Sequence, residues 1–138
     1  MTPIIQSVVE TVIYVDDLAR AIDFYAHTLG LEKQFADDRF AAFTVAPSQV
    51  FLIFLRGQTA AGADTPGGFI PPHDATGPQH FAFGIIAEEL DAWSAKLTAS
   101  GTAIESTVNW PRGGRSIYFR DPDNHLVELI TPGVWTNY

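Results

Sequence analysis

Gly114-Arg-Ser-Ile-Tyr-Phe-Arg-Asp-Pro-Asp-Asn-His-Leu-Val-Glu-Leu-Ile130 reads as strand, tight turn, strand. Ser116 to Arg120 is rich in aromatic and branched residues, as a strand requires. Asp121-Pro122-Asp123-Asn124 carries turn chemistry: Pro122 presets φ at the second position, and Asn124 tolerates the left-handed conformation. Leu126 to Thr131 forms the second strand, with Glu128 in the middle of its apolar run. A carboxylate there costs several kcal/mol of desolvation unless a cation or hydrogen-bond donors compensate it. Glu128 therefore requires a partner.

Composition narrows the classes. A chain of 138 residues that is 46% hydrophobic, with ten Phe, four Tyr and three Trp, is globular and long enough for a real core. It has no apolar run approaching the roughly 20 residues of a membrane span and no basic leader, so no membrane association is expected. The absence of cysteine excludes a disulfide scaffold, thiolate catalysis and Cys-based zinc sites, and a cytoplasmic setting is expected. A net charge of −8 argues against nucleic acid and favours cationic or metal-bound ligands.

The chain repeats itself. Val8 to Val15 alternates, with Val9, Thr11, Ile13 and Val15 on one face and Val8, Glu10, Val12 and Tyr14 on the other. Asp17 is the candidate N-cap of a helix carrying Leu18, Ile22, Tyr25 and Leu29, and Gly30 ends it. Strands follow at Leu31 to Ala36, Arg39 to Val45 and Gln49 to Leu55. His80 to Ile86 then alternates as the first strand does, with His80, Ala82 and Gly84 on one face. Glu88 and Glu89 open a second helix, with Leu90, Trp93 and Leu97 as its stripe and Gly101 as its stop. Strands at Ala103 to Asn109, Ser116 to Arg120 and Leu126 to Thr131 complete the second copy. The chain thus reads as strand–helix–strand–strand–strand twice, modules 5–56 and 79–131, within a single α+β domain. Between them, nine of the 23 residues from Gly57 to Gln79 are Gly or Pro, which predicts a loop without regular structure, functional or linking.

The repeat superposes Glu10 on His80, each on the first strand of its module and on the face away from the helix. Glu128 lies on the last strand of the second module. If the two sheets close around a shared concave face, these three side chains converge. One histidine and two carboxylates suit a divalent ion such as Mn²⁺, Fe²⁺, Zn²⁺ or Ni²⁺, with coordination positions left for water or substrate. Taken singly, each has another reading. His80 can be a hydrogen-bonded structural residue, Glu10 or Glu128 can pair with Arg112 or Arg115, and all three can form a buried polar network without metal.

Val15-Asp-Asp-Leu-Ala-Arg-Ala-Ile-Asp-Phe-Tyr25 with Leu29-Gly30-Leu31, Gly77-Pro-Gln-His-Phe-Ala-Phe83, and Tyr118-Phe-Arg-Asp-Pro-Asp-Asn-His-Leu-Val-Glu-Leu129 resemble the vicinal oxygen chelate superfamily. It includes glyoxalase I, extradiol dioxygenases, methylmalonyl-CoA epimerase, fosfomycin-resistance transferases and bleomycin-resistance proteins. The resemblance covers nearly the whole chain. It implies duplicated βαβββ modules forming a cupped mixed sheet with helices on its outer face. It also implies metal ligands at Glu10, His80 and Glu128, and a homodimer in which Glu10 meets His80 and Glu128 of a second copy. Two departures stand out: the first ligand of the family is most often His or Gln, and the fourth position, near the end of the Gln49–Arg56 strand, has no acid or histidine.

The resemblance implies a metal-dependent small-molecule enzyme of lyase, isomerase or dioxygenase type, in which substrate oxygens chelate the ion and Glu10 or Glu128 doubles as a base. The alternative is a non-catalytic antibiotic-binding protein of bleomycin-resistance type. Tyr118 and Tyr14 lie on the faces expected to line the cavity, where a phenol donates to substrate oxygen. Trp110, Arg112 and Arg115 form a candidate loop for anionic or aromatic substrate, or a surface loop with a packed Trp. His73 is a candidate lid residue or a solvent-exposed one. His125 is expected to begin the last strand, His27 to lie on the surface, and Trp135 and Tyr138 to pack at a subunit interface.

Overall fold

Ile13 and Val15 are fully buried while Val12 and Tyr14 between them are half-buried, the two-faced burial that alternation predicts; Val9 and Thr11, assigned to the Ile13 face, are exposed at the start of the strand. The computed structural model describes residues 1–138 and comprises two compact units, Met1–Thr76 and Gly77–Tyr138. In the first, β1 (Glu10–Val15) leads into α1 (Leu18–Asp23), then β2 (Glu32–Ala36), β3 (Phe40–Ala46) and β4 (Gln49–Leu55). The strand order is β1-β4-β3-β2, with β1 and β4 parallel and the remaining pairs antiparallel.

Asp17 caps α1 as its side chain suggests, accepting from the Arg20 N–H at 3.0 Å, which stabilises the helix by about 1 kcal/mol. The helical run then widens into one π turn over Phe24–Thr28, which buries the adjacent Phe24 and Tyr25. Gly30 follows at φ 75°, the left-handed stop its position predicts. Tyr25 packs on the Phe51 ring at 4.8 Å, joining Ile13, Phe43 and Ile53 in the core of this unit.

The segment after β4 differs from the expectation. Within the Gly/Pro-rich stretch, β5 (Ala63–Thr65) and β6 (Gly68–Ile70) form a short hairpin. Pro66 and Gly67 occupy its turn, Gly68 is the first residue of β6, and Pro71 and Pro72 follow its end, so the breakers fall at the strand ends. Thr65 closes the turn: its Oγ1 accepts from the Gly67 and Gly68 N–H groups at 3.2 and 3.1 Å.

The second unit repeats the pattern with β7 (His80–Gly84), α2 (Leu90–Ala99), β8 (Ile104–Asn109), β9 (Arg115–Arg120) and β10 (Leu126–Ile130). Its order is β7-β10-β9-β8, with β7 and β10 parallel. Glu88 and Glu89 lie in a 3₁₀ turn that precedes α2. Leu90, Leu97, Ile117, Phe119, Val127 and Leu129 make the core of this unit. Each repeat thus closes its own four-stranded mixed sheet, and the architecture is α+β, as the sequence predicts.

Candidate functional site

Parallel pairing of β7 with β10 sets His80 opposite Leu126 and Ala82 opposite Glu128. Antiparallel pairing with β9 sets Tyr118 opposite Glu128. His80, Ala82, Tyr118 and Glu128 therefore share one face of the second sheet. Glu128 is only 6% exposed, so the partner its sequence context requires must be close.

It has two. The Tyr118 hydroxyl donates to Glu128 Oε2 at 3.0 Å, and His80 Nε2 lies 3.3 Å from Oε1. The other imidazole nitrogen, Nδ1, is 2.9 Å from the Leu126 carbonyl oxygen. A carbonyl only accepts, so Nδ1 carries a proton. In the neutral ring Nε2 then presents a lone pair to a carboxylate oxygen, and only a proton or a cation between the two relieves that opposition. The separation is longer than the 2.7–2.9 Å of a strong charge-assisted hydrogen bond. It suits two donor atoms sharing one ion at about 2.0–2.2 Å from each. Nδ1–H held by a backbone carbonyl, with Nε2 left for metal, is the usual arrangement of a ligating histidine. The donor set fits a divalent ion, and the half-exposed His80 side chain leaves it open to a ligand.

His125 holds this pair in register. It is fully buried, and its Nδ1 accepts from the Gln79 N–H at 2.8 Å. The Leu126 N–H in turn donates to the Gln79 carbonyl at 2.9 Å, so the start of β7 is pinned directly before His80. The backbone N–H of His125 donates to Asp121 Oδ1 at 2.8 Å, tying the turn to the same point. Asn124 takes φ 67°, as the turn chemistry predicts. The sequence places His125 at a strand start; its buried acceptor role depends on a contact 46 positions away and leaves no local signature.

The first unit uses its equivalent face differently. Glu10 holds the place of His80, but β1–β4 pairing sets Val12 opposite Leu52, so Leu52 holds the place of Glu128. The counterpart of Glu128 in the first unit is thus a leucine, in the middle of β4. Glu10, exposed, lies at a cavity of about 730 Å³ lined also by Val12, Tyr14, Leu52, Phe54 and His73. His73 is half-buried, against Tyr14 and Phe54; its Nδ1 is 2.6 Å from the Tyr14 hydroxyl. The expected ligands are therefore brought together only in part: His80 meets Glu128, and no group of three His, Asp or Glu side chains in the chain is able to hold an ion.

The remaining candidates are engaged elsewhere. The Trp110 indole N–H donates to Ser116 Oγ at 2.9 Å, and Arg112 donates to the Val134 carbonyl at 2.7 Å. Arg115 is exposed, with its backbone paired to Thr131. Neither Arg112 nor Arg115 pairs with Glu128, whose partners are Tyr118 and His80. Trp135 is exposed, while Tyr138 donates to the Ile130 carbonyl at 3.2 Å. His27 is exposed and sits 2.8 Å from Asp23, one helical turn away.

Both phenols, Tyr118 beside Glu128 and Tyr14 on the cavity wall, hold their protons above the ordinary tyrosine range. For Tyr118 the cause is burial first, then the hydrogen bond to Glu128 and its charge; for Tyr14 it is burial, then the charge of Asp74. A raised folded-state value means that the stability each phenol contributes is present below about pH 10 and is lost as pH rises through the raised value. In an alkaline absorbance titration, Tyr118→Phe and Tyr14→Phe should each remove one phenolate from the portion above pH ~10. Loss from the portion at or below that pH would contradict the assignment.

Three kinds of comparison bear on this arrangement. The sequence model of the Glyoxalase/Bleomycin resistance protein/Dioxygenase superfamily matches residues 7–129. The fold is similar to the crystal structure of lactoylglutathione lyase from Agrobacterium tumefaciens, with a TM-score of 0.85 and 32% identity over 94% of this chain and 96% of that one. In sequence it is 27% identical to the glutathione transferase FosA of Serratia marcescens over 128 residues, 91% of this chain and 80% of that protein. It is 45% identical to the fosfomycin resistance protein FosX of Listeria innocua over 51 residues, a match that spans only 38% of that relative's length.

Proposed function

The chain belongs to the Glyoxalase/Bleomycin resistance protein/Dioxygenase superfamily, and on that premise we propose that it is a metal-dependent enzyme acting on a small molecule. The observation that carries the proposal is the His80–Glu128 pair, two acceptors 3.3 Å apart whose other atoms are already fixed by Leu126 and Tyr118. His80 through Nε2 and Glu128 through Oε1 are the proposed ligands, with Glu10 as the third. Glu10 comes from a second copy of the chain in this reading, a homodimer of the kind the superfamily resemblance implies. A bound divalent ion would supply Lewis acidity toward two substrate oxygens.

The roles of the chain's own groups follow from their settings. Tyr118 orients the carboxylate and keeps Oε2 occupied, which makes it a positioning residue and leaves Glu128 poorly placed to take a proton. Glu10 is exposed at a cavity rim, and its carboxylate is the better proton acceptor from a bound substrate. Trp110, Arg112 and Arg115 keep a proposed substrate-contacting role at the β8–β9 connection. Metal identity among Mn²⁺, Fe²⁺, Zn²⁺ and Ni²⁺ follows from the mixed N,O donor set only as a class.

Three relatives indicate which reactions to assay: modification of fosfomycin with and without glutathione, from the fosfomycin resistance protein FosX and the glutathione transferase FosA, and the lactoylglutathione lyase reaction, from the lyase. Turnover of either that is abolished by chelation, restored by added metal and lost in Glu128→Ala is the expected result. Turnover that survives chelation would contradict the proposal. The second reading, sequestration of an organic ligand without chemistry, is favoured by the aromatic cavity of the first unit and predicts tight binding that ignores metal.

A further inference from the structure

We propose that the first unit carries a binding site for an aromatic ring, with Phe40, Phe54 and Tyr14 as its platform and His73 as the residue that fixes Tyr14. The three rings form an offset stack in which each is nearly parallel to the next. Phe40 and Phe54 stack at 5.3 Å with 23° between planes, and Phe54 and Tyr14 at 5.9 Å with 28°. Val12, Leu52 and Ile70 complete apolar walls around a cavity of about 730 Å³, within the size range of small-molecule sites. These half-buried rings line the cavity, and their uncovered faces and edges offer a ring ligand stacked or edge-on contact that an aliphatic wall does not.

His73 is preorganised. The Thr59 hydroxyl donates to the His73 carbonyl, and the His73 N–H donates to the Thr59 carbonyl at 3.1 Å. Arg56 adds a bond from Nε to the Ala75 carbonyl at 2.8 Å, and the Gly57 N–H one to Asp74 at 3.2 Å. These ties close the loop that carries the β5–β6 hairpin and press His73 edge-on to Phe54, at 4.9 Å and 81°. The Tyr14 hydroxyl, held by His73, is a polar group set into an otherwise apolar wall, where it can meet a ring substituent.

Arg39 is the single cation lining the cavity, against the carboxylates Glu10 and Asp64. In the metal-free chain a phosphonate would meet net repulsion there, whereas a neutral ring would not. The ring site stands on the first unit alone. Only its link to chemistry, through Glu10 on the same rim, rests on the metal-dependent reading.

Calorimetric titration of the full, chelator-treated chain with 1-naphthol tests the proposal, because this probe has no vicinal oxygens and needs no metal. Saturable binding is expected, weakened about fivefold in Phe54→Leu and about tenfold in Ile70→Glu. Ile70 is 48% exposed, so its substitution leaves the core intact and a folded variant is expected by circular dichroism. His73→Ala should weaken binding about threefold, and His73→Gln, which can still hydrogen-bond the Tyr14 hydroxyl, should recover part of that loss, a rescue that loss of apolar area alone would not give. No saturable binding by wild type, affinities within twofold across both wall variants, or tighter binding of methylphosphonate than of 1-naphthol would each overturn it. Naphthol binding in a protein that takes up no divalent ion would sink the metal reading and leave this one standing; the reverse result would do the opposite.

Discussion

Glu128→Leu should give a protein that folds as well as wild type and binds no divalent metal. The buried carboxylate gives up its hydration for one phenol at 3.0 Å and one half-exposed imidazole at 3.3 Å. That is poor compensation, and replacing a buried ionic group by an apolar side chain of similar volume is often neutral or stabilising by about 1–4 kcal/mol. The substitution costs Tyr118 its acceptor, about 1 kcal/mol, but this hydroxyl is only half-buried. The expected melting temperature is therefore at or above that of wild type, while Mn²⁺ affinity falls at least ~100-fold, the upper end of what loss of even an outer-shell partner costs. Glu128→Gln keeps an acceptor for Tyr118 and removes the charge, so it should share the metal defect. If Glu128→Leu is instead destabilised by more than about 2 kcal/mol, the carboxylate belongs to a structural polar network. Stability and function pulling in opposite directions is the mark of a group retained for its ligand.

His125→Ala should do the reverse and damage the fold first. The imidazole is fully buried and accepts the Gln79 N–H at 2.8 Å. Its removal leaves a cavity and a donor stripped of this acceptor, together about 2–4 kcal/mol. For a chain of this size that corresponds to a fall of roughly 8–16 °C in melting temperature. His125→Asn, whose side-chain oxygen can reach the position of Nδ1, should recover part of the loss; thermal denaturation followed by circular dichroism reads both. Metal affinity should fall in His125→Ala as well, because β7 loses its anchor one residue before His80, and His125→Asn should restore it in parallel. A His125→Ala variant as stable as wild type would contradict the role assigned to the buried ring.

The duplicated pattern was readable because each repeat announces itself locally. Asp17 with Gly30, and the acids before Leu90 with Gly101, bracket both helices, and Asp121-Pro-Asp-Asn124 dictates its turn with Asn124 at φ 67°. Glu128 stood out because an acid amid apolar residues demands a partner, but that the partner is His80 and not Arg112 or Arg115 follows only from the register of β7 on β10. The hairpin in the Gly/Pro-rich stretch was not readable, because composition does not say whether breakers lie inside short strands or at their ends. Nor were His73 and His125. Both matter through contacts with residues 59 and 46 positions away, Tyr14 and Gln79, and such pairings arise from register, not from local sequence. Leu52 became visible as the replacement for a ligand only once β1 and β4 were aligned pairwise.

The most direct test of the central claim, that His80 and Glu128 seat a divalent ion, is calorimetric titration of chelator-treated protein with Mn²⁺, in wild type and His80→Ala side by side. One ion per chain for wild type, with affinity lowered at least ~100-fold in the variant, is the predicted outcome. A wild-type protein that takes up no Mn²⁺, Fe²⁺, Zn²⁺ or Ni²⁺, or a His80→Ala variant that binds as tightly as wild type, would contradict it.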